Sequence, residues 1–186
     1  MKKLNYIFFS LLALLFATSC EEPQVENPVL KTPTSFVLNN PVMQKQYIEL
    51  TPETTVKLTA SQPDYGYAAA ADYFAQVAFS EDATEWVEVN EEPYHDLGNI
   101  QLSGEELAMA MCKLRGIETE EGYTDEDARA VYVRLRAEIK AEPEKSAIVS
   151  NVVVLEQVKG YFALKLPGYI YLIGDCGGWT GPDAGN

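Results

Sequence analysis

The sequence predicts a mainly β chain: an antiparallel sandwich with one short helix, followed by the incomplete start of a further β module. Three observations carry that expectation. Short runs alternating apolar with polar residues recur along the chain, and period-two alternation marks half-buried strands. Turn-forming breaks such as Asn39-Asn40-Pro41 and Thr51-Pro52 separate them. One stretch only, over residues 104–115, has helical spacing instead.

The elements follow in order. Met1-Lys2-Lys3 is a positive lead into an apolar run from Tyr6 to Phe16, and Ala17-Thr18-Ser19-Cys20 comes next. That run is too short for a transmembrane helix, which needs roughly 20 apolar residues. It has the form of a signal peptide over residues 1–19 with small residues at the cleavage point. A cysteine directly after them marks a lipoprotein: Cys20 is the expected lipid attachment site. Two or three acyl chains, each contributing ~0.8 kcal/mol per buried methylene, anchor stably where one does not. An acidic, proline-bearing tether occupies residues 20–32.

Residues 33–158 form the expected sandwich. Its opening runs are Ser35-Phe36-Val37-Leu38, Tyr47-Ile48-Glu49-Leu50 and residues 55–60. A stronger strand over residues 73–79 places Tyr73, Ala75, Val77 and Phe79 on one face. Trp86-Val87-Glu88-Val89 is expected to pair with it as a hairpin, with Trp86 in the core. Ser103-Gly104-Glu105-Glu106 is a capping box, after which Leu107, Met111 and Leu114 recur at helical spacing. The clearest strand runs from Val131 to Ala137. It turns Val131, Val133, Leu135 and Ala137 inward and Tyr132, Arg134 and Arg136 outward, the arginines forming surface ion pairs. A buried-type strand, residues 150–155, closes the sandwich. Residues 159–186 restart the β pattern and run into the glycine-rich turn GDCGGWTGPDAGN.

Charge excludes one class of partner. The chain holds 14 basic and 28 acidic residues. Removal of residues 1–19 takes Lys2 and Lys3 and no acid, leaving 12 against 28 and a net charge of −16. Such a surface repels phosphate backbones, so no nucleic-acid partner is expected. With 47% hydrophobic residues, a core is within reach. Cys20 being committed to lipid, Cys112 and Cys176 read as two unpaired, mostly buried thiols in different modules, a bridge between them being the alternative. Their spacing defines no metal site, and no cofactor is expected.

The chemistry-bearing residues resolve in favour of an unreactive chain. His95, the lone histidine, has Asp96 beside it, but neighbours on an extended chain point apart and no nucleophile is singled out. It reads as a surface-loop histidine. Asp125-Glu126-Asp127 lacks the order of a calcium loop and reads as solvated charge. No opposed carboxylate pair is identifiable for glycoside hydrolysis. Trp179, in the GGW turn, is the candidate carbohydrate contact, because a flat indole suits the apolar face of a pyranose. A structural plug is the competing reading. No enzyme is expected.

The order of these segments resembles a family. Lipobox, acidic tether, β-sandwich, the helix LSGEELAMAMCKL, the strand VYVRLRA, SNVVVLEQV and then PGYIYLIGDCGGW is similar to the SusE/SusF-type outer-membrane lipoproteins of Bacteroidota. The resemblance implies an immunoglobulin-like N-terminal domain at residues 33–158. It implies that residues 159–186 open a first carbohydrate-binding module that is mostly missing here, together with its glucan-binding aromatics. It further implies a lipid-anchored, non-enzymatic protein of the outer membrane, commonly facing outward, with which Glu21-Glu22 agrees. Its expected partners are a starch-like polysaccharide and outer-membrane importer proteins. The runner-up, from a different class, is a structural or adhesive lipoprotein that binds protein partners.

Overall fold

The computed structural model describes residues 28–124 and 127–164. Cys20, Cys176 and Trp179, with the signal peptide and residues 165–186, lie outside the described residues, as do Asp125 and Glu126.

Among the described residues eight strands fall into two sheets: β1 (Tyr47–Glu49), β2 (Thr55–Leu58), β3 (Asp72–Ala78), β4 (Val87–Glu88), β5 (Ile100–Ser103), β6 (Arg129–Glu138), β7 (Ile148–Val149) and β8 (Val153–Lys159). The larger sheet has the order β1-β8-β6-β3-β4, with β7 also paired to β6, and β2-β5 forms the smaller. The fold is mainly β and sandwich-like. The expected hairpin is present, with Val77 opposite Val87 and Gln76 opposite Glu88. One pairing departs from the antiparallel expectation: β1 lies parallel to β8, with Ile48 opposite Val158. Sequence periodicity reports which face a strand buries, not the direction of its neighbour. The run at Ser35–Leu38 forms only an isolated bridge, Leu38 to Ala60.

The core lies where the inward positions of both sheets meet. From β6 come Val131, Val133, Leu135 and Ala137, all fully buried, and from β3 Tyr73, Ala75 and Val77. Val56, Leu58, Ile100 and Leu102 face them from the smaller sheet. Helix α1 (Gly104–Leu114) adds Leu107, Ala108 and Met111. Its ends are set by local chemistry. The Ser103 side chain accepts from the Glu106 amide at 3.4 Å, the first half of the capping box, and the nearby Ser103 backbone N–H favours the Glu106 carboxylate. At the other end the Gly116 amide donates to Lys113 O and the Ile117 amide to Cys112 O, each at 3.0 Å. With Gly116 at φ +66°, this is a Schellman stop, which needs a residue free to enter the left-handed region.

Strand direction separates the described segment that enters the sandwich from the one that leaves it. Leu38 is bonded to Asn151, just before β8, and the Phe36 ring lies 6.0 Å from that of Tyr73 at the start of β3. The outgoing segment leaves from the far end of β8. There the Gly160 carbonyl accepts from Tyr123 Oη at 3.0 Å and the Cys112 thiol donates to the Tyr161 carbonyl at 3.6 Å. Residues 160–163 therefore pack on the sandwich, with Ala163 buried. β8 is 7 residues long, so about 20 Å of strand lies between the two points.

Candidate functional site: the arginine face and the cleft beside the helix

Alternation along β3 and β6 builds the outward face of the large sheet. Register places Gln76 opposite Arg134 and Phe74 opposite Arg136. Arg134 Nε donates to Gln76 Oε1 at 2.8 Å, and Gln76 Nε2 donates to Glu88 Oε1 at 3.3 Å. Arg136 Nε and Nη2 each reach Glu88 Oε1 at 2.9 Å, and its Nη1 pairs with Glu138. The guanidinium groups also cover rings: Arg134 lies 4.1 Å above Trp86, Arg136 4.5 Å above Phe74 and Arg129 4.1 Å above Phe79. Burial lowers the Arg134 guanidinium from its ordinary pKa, although an arginine remains a cation.

Two expectations are corrected by this geometry. Trp86 is not in the core. It is half-buried on the outer face, its indole N–H donating to Ala83 O at 2.9 Å, because Val87 and Val89 take the inward positions of the alternation. Arg136 makes the expected ion pairs, with Glu88 and Glu138, whereas Arg134 is held by the amide of Gln76 and the indole. Stacked guanidiniums also occupy the ring faces that a sugar would need, so Trp86 and Phe74 are not open stacking platforms.

A second feature lies beside α1. A cleft of about 690 Å³ runs between the helix and the chain from Val87 to Tyr94. Its apolar wall includes Val89, Met109 and Ala110, its rim carries Glu91, Glu92 and Glu106, and Lys113 is the one cation among its described lining residues. Burial, then the charges of Glu105 and Glu91, push the Glu106 carboxyl above its ordinary range, against the Ser103 N–H bond that lowers it. Tyr94 donates to Gln101 O at 3.1 Å, and burial followed by the Glu106 charge raises its hydroxyl to about 12.

The remaining candidates do not assemble into a reactive site. His95 is 70% exposed and its Nδ1 stands 3.7 Å from Asp72, not Asp96. Asp96 instead accepts from the Gly98 amide at 2.8 Å and closes its own turn. Cys112 is buried and free, and Asp127 is exposed. Among the described residues no group of three or more His, Cys, Asp or Glu side chains is placed to hold a metal ion. No described helix is long and apolar enough to cross a membrane. Sequence reasoning gave no functional role to Phe74, Gln76 or any cleft residue: Val87, Glu88 and Val89 entered only as a strand and Glu106 only as a helix cap. Alternation marks their faces, but only strand register shows which side chains meet. No family model matches the chain.

Proposed function

We propose that this chain is a non-enzymatic, lipid-anchored surface protein of a starch-like glucan capture and uptake system. Lipid on Cys20 holds it to the outer membrane facing outward. The sandwich is a rigid standoff between that anchor and carbohydrate-binding modules, the first of which begins in residues 159–186. One observation supports the reading above others: the chain enters the sandwich at one end of β8 and leaves at the other. A domain strung in that way adds its length to the reach of whatever follows it, and tethered modules raise the local polysaccharide concentration near an importer.

Retardation in native gels cast with amylopectin tests this, using the 186-residue chain and a chain continued by the downstream reading frame. Only the longer chain is expected to be retarded, since sugar recognition needs several convergent groups on a rigid surface. Tight binding by the short chain, or none by either, overturns the proposal. The anchor has its own test: Cys20→Ala should abolish palmitate incorporation, and undiminished labelling discards the lipid claim.

A further inference from the structure

The cleft beside α1 has a chemistry that the standoff role does not use. β4 is the last strand of its sheet, and the cleft lining runs unbroken from Val87 at its start through Tyr94. The opposite wall is the α1 face carrying Glu106, Met109, Ala110 and Lys113. An open strand edge next to a helix wall is a place where an extended segment can add as a further strand and bury alternate side chains. Glu88 is matched by Arg136. The rim also carries Glu92 and Glu106, with Lys113 the cation among the described lining residues.

Charge selects the occupant. A second copy of this chain brings the same excess of 28 acids over 14 bases and is repelled. The chain's own residues 165–186 carry Lys165 against Asp175 and Asp183, so they supply no excess of cations. We infer that the cleft receives an extended segment of a partner protein in which lysine or arginine alternates with apolar residues. Its cations meet Glu92 and Glu106, and its apolar side chains cover Met109 and Ala110. The raised Glu106 carboxyl accords with this: burial is the main cause and the charges of Glu105 and Glu91 add to it, and an incoming cation offsets that second part. The inference does not depend on glucan binding.

The probe is a fluorescein-labelled nine-residue peptide alternating lysine with valine and leucine, titrated by anisotropy into the detergent-solubilised full chain. Saturable binding is expected. It should weaken about tenfold in Glu92→Gln/Glu106→Gln and fall steeply as salt rises above ~0.1 M. Glu144→Gln/Glu156→Gln makes the same charge change at two exposed sites outside the cleft and should bind as the parent does. Met109→Lys, which sets a cation on the apolar wall, should abolish binding. If the double cleft variant fails to fold, Glu92→Gln alone, on an exposed residue, carries the comparison with an expected loss of about threefold. Equal weakening by the distant pair reduces the effect to the overall field and overturns the inference. So does equal binding of a glutamate-for-lysine peptide, no binding up to ~1 mM, or a dimer in sedimentation that the cleft variants dissolve.

Discussion

Asn151 and Leu38 pair through both of their hydrogen-bonding edges: Leu38 N–H donates to Asn151 Oδ1 at 2.9 Å, and Asn151 Nδ2 donates to Leu38 O at 3.0 Å. A side-chain amide here does what a neighbouring strand's backbone does, fastening the incoming chain 113 residues away in sequence. On the standoff reading, this junction carries the load between anchor and domain. Asn151→Leu should cost about 1–3 kcal/mol, because it strands one backbone donor and one acceptor at a part-buried site. Urea unfolding measures the loss. Hydrogen exchange should show the Leu38 amide opening before those of β6, and unchanged protection there counts against the assignment.

Gly104 yields a prediction that opposes helix propensity. An added Cβ would lie 2.3 Å from Thr51 O and 2.8 Å from Thr54 Cβ, while the Gly104 amide donates to Thr54 O at 2.8 Å. Alanine gains up to about 1 kcal/mol over glycine inside a helix, but this contact is with backbone that is held in a turn. Gly104→Ala should therefore destabilise by about 1–3 kcal/mol. A midpoint of thermal unfolding at or above the parent's contradicts the packing described.

How far these features were legible in the sequence follows from the distance over which each is specified. α1 was fully legible, since Ser103, Glu106 and Gly116 act within a few residues of one another. The inward face of β6 was legible too, because alternation needs no partner. The parallel seat of β1, the Asn151–Leu38 pair and the stacking of Arg134 on Trp86 were not. Each depends on a register between segments far apart in sequence. Trp86 was misplaced for that reason: its alternation was read correctly, but Val87 and Val89, not Trp86, proved to be the inward set.

Glu106 gives a pH dependence whose sign is fixed. Its folded carboxyl has a pKa above the ordinary value of 4.5, burial being the largest cause. The native state thus binds more protons than the unfolded state between the two values, and stability declines as pH rises through that window. Glu106→Gln keeps an acceptor for the Ser103 N–H and removes the ionisation. Relative to the parent it should gain in thermal midpoint above the window and lose that gain below about pH 4. A difference independent of pH contradicts the burial assigned to this carboxyl.

Tyr65 supplies the sharpest test of the core. The residue is fully buried, and its hydroxyl has no hydrogen-bond partner among the described residues. A buried hydroxyl left unmatched costs about 1–3 kcal/mol, whereas the ring around it contributes only favourable packing. Tyr65→Phe should therefore be neutral or stabilising by up to about 1 kcal/mol, unlike most core substitutions, which destabilise. The same burial, followed by the charges of Tyr73 and Glu138, raises the hydroxyl from 10.0 to about 12. Because the unfolded chain ionises first, stability is retained below pH 10 and lost as the pH climbs from 10 towards 12. The phenylalanine variant should lose less over that interval. Chemical unfolding at pH 7 and pH 11 measures both effects on the same pair of proteins. A Tyr65→Phe variant that is less stable than the parent by more than about 1 kcal/mol at pH 7 means that the hydroxyl is bonded, with an ordered water the natural partner. In that event the alkaline loss should follow the other raised tyrosines, Tyr73 and Tyr94, and remain in the variant.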